Sequence, residues 1–142
     1  MNVNYSNKKI LIWGITSTGL SCINFFVNKR IYPRVIDTRT KLKQLHLFRK
    51  IPKYIQIKLG ENIESWIFSS DLIVISPSIS LFHPLLLKAN QLGIEIIGDI
   101  ELFCRENKKP IIAITGSNGK NHCSNHVTKN TKKLNTYYWN RR

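Results

Sequence analysis

Four short runs in this chain have the residue types and spacing to hold phosphates and sugar hydroxyls. Gly14-Ile15-Thr16-Ser17-Thr18-Gly19 follows an apolar run and precedes an amphipathic one. Glycine at 14 permits a tight turn, and glycine at 19 permits close packing of a helix on a strand. The free N–H groups that open the helix attract an anion. A dinucleotide-binding turn also needs glycine at the middle position. Thr16 stands there, and a side chain at that point obstructs the backbone approach of a pyrophosphate, which counts against NAD. A tight turn without a ligand is the competing reading.

Asp37-Thr38-Arg39 closes a second apolar run. A carboxylate in that place can accept from a ribose hydroxyl or a base N–H. The guanidinium can contact a phosphate or stack on a base. A solvated charge pair that merely closes a strand is the alternative. Ser76-Pro77-Ser78 stops another apolar run. Thr115-Gly116-Ser117-Asn118-Gly119-Lys120 spells a phosphate-binding loop, with backbone N–H groups turned inward and Lys120 placed to stabilise phosphoryl charge. A full P-loop has Ser or Thr after the lysine to hold Mg²⁺. Here the next residue is Asn121.

Alternating strands and helices must position these loops. Apolar runs predict strands over 9–13, 34–36, 55–59, 72–75, 94–97 and 111–114. Helical spacing or start signals predict helices over 18–28, 41–50, 63–68, 83–91 and 99–106, with His83 opening the fourth. Alternation of this kind implies parallel strands joined by crossover helices. The fold class is α/β: a Rossmann-like parallel sheet with flanking helices, followed by an incomplete P-loop strand and a disordered tail. In such sheets ligands sit beyond the carboxyl ends of the strands, where all four motifs fall. The organisation reads as a nucleotide-binding domain over 1–108, the first strand and loop of a second domain over 109–120, and a tail over 121–142 that follows no period. Trp13 and Trp66 read as core residues.

The net charge is +14. Lys129, Lys132, Lys133, Arg141 and Arg142 contribute from the tail. Arg39, Lys41, Lys43, Arg49, Lys50, Lys53 and Lys58 form an acid-free stretch. Such a field attracts phosphates of any kind. No aromatic–basic signature or helix-turn-helix pattern supports nucleic acid as the partner. The apolar runs are too short to span a membrane. The polar N-terminus lacks a signal core, so the expected location is cytoplasmic. Cys22, Cys104 and Cys123 are odd in number and widely spaced, against a disulfide framework. The expectation is buried thiols at 22 and 104. His122, Cys123 and His126 lack a fourth ligand, so no metal site is expected.

In their order along the chain, these motifs resemble the D-glutamate-adding Mur ligases. Four segments carry the resemblance beside the first turn: Pro33-Arg34-Val35-Ile36-Asp37-Thr38-Arg39, Asp71 through Pro77, Gly93 through Arg105, and Ile112 through Lys120. The resemblance implies a three-domain enzyme of cell-wall peptidoglycan synthesis. Its first domain holds the uridine nucleotide of UDP-N-acetylmuramoyl-L-alanine. Its central domain binds ATP and Mg²⁺. Its third binds D-glutamate. ATP would phosphorylate the substrate carboxylate, and the amine of D-glutamate would displace phosphate from the acyl phosphate. By resemblance, Ser17 and Thr18 meet the nucleotide, and Asp37, Thr38 and Arg39 hold the uracil end. Ser76, Pro77 and Ser78 line the site. Gly116, Ser117, Asn118, Gly119 and Lys120 cradle the ATP phosphates. By resemblance, relatives commonly have glycine where Ser78 stands, which alters backbone approach there.

The family continues after the lysine with Ser or Thr and an apolar helix. The chain is therefore expected to be a fragment that does not catalyse ligation alone, so binding of ATP and Mg²⁺ is the weaker expectation. Codon degeneracy lets the run from Asn121 to Val127 read, one base later, as Thr-Thr-Val-Val-Thr-Thr-Leu, so a frameshift would account for the tail. A non-catalytic uridine-nucleotide-binding module and an NAD-dependent enzyme are the alternatives.

Overall fold

The computed structural model describes residues 4–40 and 45–108. Within them five strands and five helices alternate: β1 (Ile10–Trp13), α1 (Ser17–Asn28), β2 (Arg34–Asp37), α2 (Leu45–Phe48), β3 (Ile57–Leu59), α3 (Glu64–Phe68), β4 (Leu72–Ile75), α4 (Pro84–Gln91), β5 (Glu95–Gly98) and α5 (Asp99–Glu106). All strands are parallel, in the order β3-β2-β1-β4-β5. The chain winds outward from β1 to β3. It then crosses back to place β4 on the other side of β1.

Side chains alternate across the sheet, as a period of two requires. Ile10, Ile12, Val35, Leu72 and Val74 face one core, with Cys22, Ile23 and Phe26 from α1 and Leu102 from α5. Leu11, Trp13, Ile36, Ile73 and Ile75 face the other, with Ile67 from α3, Ile63 just before that helix, and Leu86 and Ala89 from α4. Strands covered on both faces need apolar residues at every position, and β1 and β4 are buried throughout. Each fully buried aliphatic side chain contributes about 1.5–3 kcal/mol.

The expected strands and helices within the described residues are present, with shifted ends. Helix α1 opens at Ser17 because Thr16 caps it. Strand β3 begins at Ile57 because Ile55 N–H closes a turn on Pro52 O at 3.0 Å. Strand β5 starts at Glu95 because Ile94 N–H instead closes α4 on Ala89 O, also at 3.0 Å. The helix expected over 41–50 is described only from Leu45, and it ends at Phe48 in a turn through Lys50 N–H and Leu47 O.

Two burial expectations are corrected. Cys22 is buried but Cys104 is exposed. Leu102 turns its side of α5 into the core, and a residue two places on lies across the helix from it. Trp66 is only partly buried. It sits at the β3 edge, where the Arg34 guanidinium covers its ring at 5.3 Å and the Lys58 ammonium at 4.9 Å. Trp13 is fully buried, as expected. The strand expected over 111–114, the loop Gly116, Ser117, Asn118, Gly119 and Lys120, the His122–Cys123–His126 group and the tail lie outside the described residues.

Candidate functional site

The order of the sheet reverses between β1 and β4, and loops that leave neighbouring strands in opposite directions open a crevice there. Three of the four sequence motifs flank this point. The first follows β1, the second follows β2 and the third follows β4.

The first loop turns at Gly14, whose φ of +111° lies where side chains are strained. A Cβ at Gly14 would stand 2.7 Å from Ser76 Oγ, and one at Gly19 would stand 2.1 Å from Gly14 O. Both glycines therefore answer to close approach: at 14 between the β1 and β4 loops, at 19 between α1 and the loop that precedes it.

In the sequence Thr16 figures only as an obstruction to a pyrophosphate. In the fold its Oγ1 accepts from Gly19 N–H at 3.1 Å and so caps α1. It also lies 2.9 Å from Thr18 Oγ1 and 3.0 Å from Ser76 Oγ. Ser76 is buried and donates to Gly14 O at 3.1 Å. A threonine just before a helical period is a capping signal, so this role was available from the sequence. The link to Ser76 was not, because it crosses from one loop to another.

Asp37 is the most enclosed charged group of the site, at 2% exposure. Its Oδ1 accepts from Arg39 N–H at 3.0 Å and from Arg39 Nε at 2.8 Å. Its Oδ2 accepts from Arg39 Nη2 at 2.7 Å and from Ile15 N–H at 2.8 Å. Burial by itself raises the pKa of this carboxyl. The hydrogen bonds from the Arg39 side chain and from the Ile15 and Arg39 backbone outweigh it and hold the pKa below the usual carboxylate value. Arg39 Nη2 also reaches Ile15 O at 3.3 Å. The second loop is thereby tied to the first, and the first to the third through Ser76.

Ser17, Thr38, Arg39, Pro77 and Ser78 are exposed around this framework, and Thr18 is half-buried. Thr38 lines a cleft of ≈ 360 Å³ with Gly60, Asn62, His83 and Leu85. His83 Nδ1 accepts from Leu85 N–H at 3.3 Å, so this residue opens α4 as expected. A larger hollow of ≈ 470 Å³, lined by Tyr32, Arg34 and Tyr54, lies at the amino ends of β2 and β3. It is remote from the crevice, and none of the three described motif loops lines it. The crevice is the better candidate because a helix N-terminus, a guanidinium and several hydroxyls meet there. Together they can hold an anionic, hydroxyl-bearing ligand.

Comparisons with known proteins agree with this fold. Residues 8–98 match the family described as Mur ligase MurD-like, N-terminal domain. The UDP-N-acetylmuramoylalanine–D-glutamate ligase of Buchnera aphidicola subsp. Schizaphis graminum is 57% identical over 133 residues, covering 94% of this chain and 30% of that protein. The ligase of the same name from Yersinia pestis bv. Antiqua is 48% identical over 118 residues, covering 83% of this chain and 26% of that protein. The chain thus spans less than a third of the length of these curated relatives. Among solved structures, a pseudomurein peptide ligase type C from Methanothermus fervidus superimposes with a TM-score of 0.55 at 26% identity, covering 92% of this chain and 29% of that one. The UDP-N-acetylmuramate-alanine ligase of Thermotoga maritima shares the fold, with a TM-score of 0.55 at 22% identity over 89% of this chain and 30% of that one.

Proposed function

The chain belongs to the Mur ligase family through its MurD-like N-terminal domain, and from that premise we propose that its described residues bind the uridine nucleotide of UDP-N-acetylmuramoyl-L-alanine. The enzyme they serve would be the ATP-dependent ligase that joins D-glutamate to that substrate in peptidoglycan synthesis.

The observation that carries this reading is the Asp37–Arg39 fork, bonded through Ile15 to the first loop, which borders the point where the sheet order reverses. Arg39 presents a fixed cation beside the exposed Thr38 hydroxyl, a pairing suited to a pyrimidine base and its ribose. Ser17, Thr18 and the N–H groups that open α1 face the side where a diphosphate would run. Ser76, Pro77 and Ser78 would close the third side. Asp37 would act chiefly through Arg39, since its oxygens already accept four hydrogen bonds.

Held this way, the nucleotide is a handle. Its binding energy places the distant carboxylate for phosphoryl transfer, a contribution of orientation rather than of chemistry at this domain. When bound, ATP and Mg²⁺ would supply the activating phosphoryl group, and Gly116, Ser117, Asn118, Gly119 and Lys120 are the residues proposed to meet the phosphates. D-glutamate would bind outside the described residues. No described helix is long and apolar enough to cross a membrane.

Calorimetric titration of the purified chain with UDP-N-acetylmuramoyl-L-alanine, UDP and NADH tests the reading. Saturable binding of both uridine nucleotides, weakened by Arg39→Ala, is the expected result. A preference for NADH would overturn it in favour of a nicotinamide enzyme. Steeply salt-dependent binding of DNA with no uridine preference would overturn it in favour of a nucleic-acid partner.

A further inference from the structure

The hydroxyls around the first loop have only one consistent assignment of their protons. Ser76 Oγ lies 3.1 Å from Gly14 O, and a carbonyl can only accept, so Ser76 spends its proton there. Its contact with Thr16 Oγ1 at 3.0 Å must then be one in which Thr16 donates. Having spent its own proton, Thr16 Oγ1 accepts from Gly19 N–H and, at 2.9 Å, from Thr18. The chain of donation runs from Thr18 to Thr16 to Ser76 to Gly14 O. In this arrangement Thr18 turns its proton inward, away from the crevice.

We infer that Thr16 is a specificity-determining residue that withholds the Thr18 hydroxyl proton from an anionic group at the first loop. It thereby lowers the preference of the site for a nucleoside diphosphate over the bare nucleoside. The inference rests on the uridine-nucleotide reading given above. Thr16 occupies the position that a phosphate-binding turn gives to glycine. A glycine there would leave Thr18 free to donate outward. With threonine, a bound diphosphate must first break the Thr18–Thr16 bond to obtain that proton. After the break Thr16 keeps both its cap on Gly19 N–H and its donation to Ser76, so the competition is confined to Thr18. The uridine end is held at the Asp37-Thr38-Arg39 loop and does not share this competition.

The test is calorimetric titration of the full chain with UDP and with uridine, for wild type, Thr16→Gly, Thr16→Val, Thr16→Ser and the double variant Thr16→Gly with Thr18→Val. Glycine is a tolerable helix cap, so the first variant should fold. Valine removes the hydroxyl while keeping the branched shape, so it separates loss of the hydroxyl from the space that glycine opens; circular dichroism of each variant checks that α1 survives loss of the cap. Thr16→Gly and Thr16→Val are each expected to bind UDP roughly tenfold more tightly than wild type, the scale of one charge-assisted hydrogen bond. Uridine affinity should not change. Thr16→Ser keeps the hydroxyl and should behave as wild type. The double variant should lose the gain. Equal or weaker UDP binding by both Thr16→Gly and Thr16→Val overturns the inference. So does a gain that survives loss of the Thr18 hydroxyl, because space rather than the proton would then be responsible. Failure of wild type and every variant to bind either UDP or uridine would instead remove the nucleotide reading on which the inference stands.

Discussion

Arg39 closes a two-pronged fork on Asp37, with Nε 2.8 Å from Oδ1 and Nη2 2.7 Å from Oδ2. The fork fixes a cation at the mouth of the crevice. The same carboxylate anchors the first loop through Ile15 N–H at 2.8 Å. One buried anion therefore ties two loops together, which makes Asp37 a structural residue as well as one proposed to serve binding.

Asp37→Asn would replace one accepting oxygen with a donating NH₂ that faces donors. The expected loss is about 2 kcal/mol, moderated because Arg39 is partly solvated. Urea unfolding followed by circular dichroism at pH 7 would measure it. An unchanged midpoint would mean that the fork carries no stability.

The pH dependence has a definite sign. Asp37 has a folded pKa below its unfolded value: burial opposes this, but the hydrogen bonds from Arg39 and Ile15 prevail. Its contribution is then complete above the unfolded value of about 4 and is lost as pH falls through the folded value. The stability gap between wild type and Asp37→Asn should hold constant from pH 7 down to about 5 and narrow at lower pH. A gap that widened on acidification would contradict the assignment.

Gly19→Ala and Gly93→Ala separate crowding from backbone strain. A Cβ at 19 would meet Gly14 O at 2.1 Å, backbone that cannot yield without moving the first loop. A Cβ at 93 meets nothing within 4 Å, although φ is +76°. Gly93→Ala should cost about 1 kcal/mol. Gly19→Ala should cost about 3 kcal/mol or more and abolish nucleotide binding. Thermal melts of the two variants would rank them, and a smaller loss for Gly19→Ala would show that the loop can give way.

The thiols should differ in reactivity. Burial, with a smaller contribution from the Asp99 charge, pushes the Cys22 pKa up to about 12. Cys104 is exposed. In a Cys123→Ser background, iodoacetamide at pH 8 should label Cys104 in the native protein and reach Cys22 only in denaturant. Peptide mapping by mass spectrometry reads this directly. Native labelling of Cys22 at a comparable rate would show that α1 opens locally.

The layers of the fold and the strand ends that matter are legible in the residue pattern alone. Short apolar runs alternating with helical spacing specify a parallel sheet covered on both faces, because only a strand buried on both sides needs an apolar residue at every position. Gly14 and Gly19 marked the first loop, and Asp37 and Arg39 marked the end of β2. Periodicity reports which face is buried but not which loops become neighbours. That β1 lies between β2 and β4 was decided by tertiary packing, and it brings Ser76 against Gly14 and Thr16, partners 62 and 60 residues apart in sequence. The same packing covered Trp66 with two cations at the sheet edge and turned Cys104 outward. It also gave Thr16 partners on both sides, because a hydroxyl's role depends on which donors and acceptors the fold places within 3 Å or so of it.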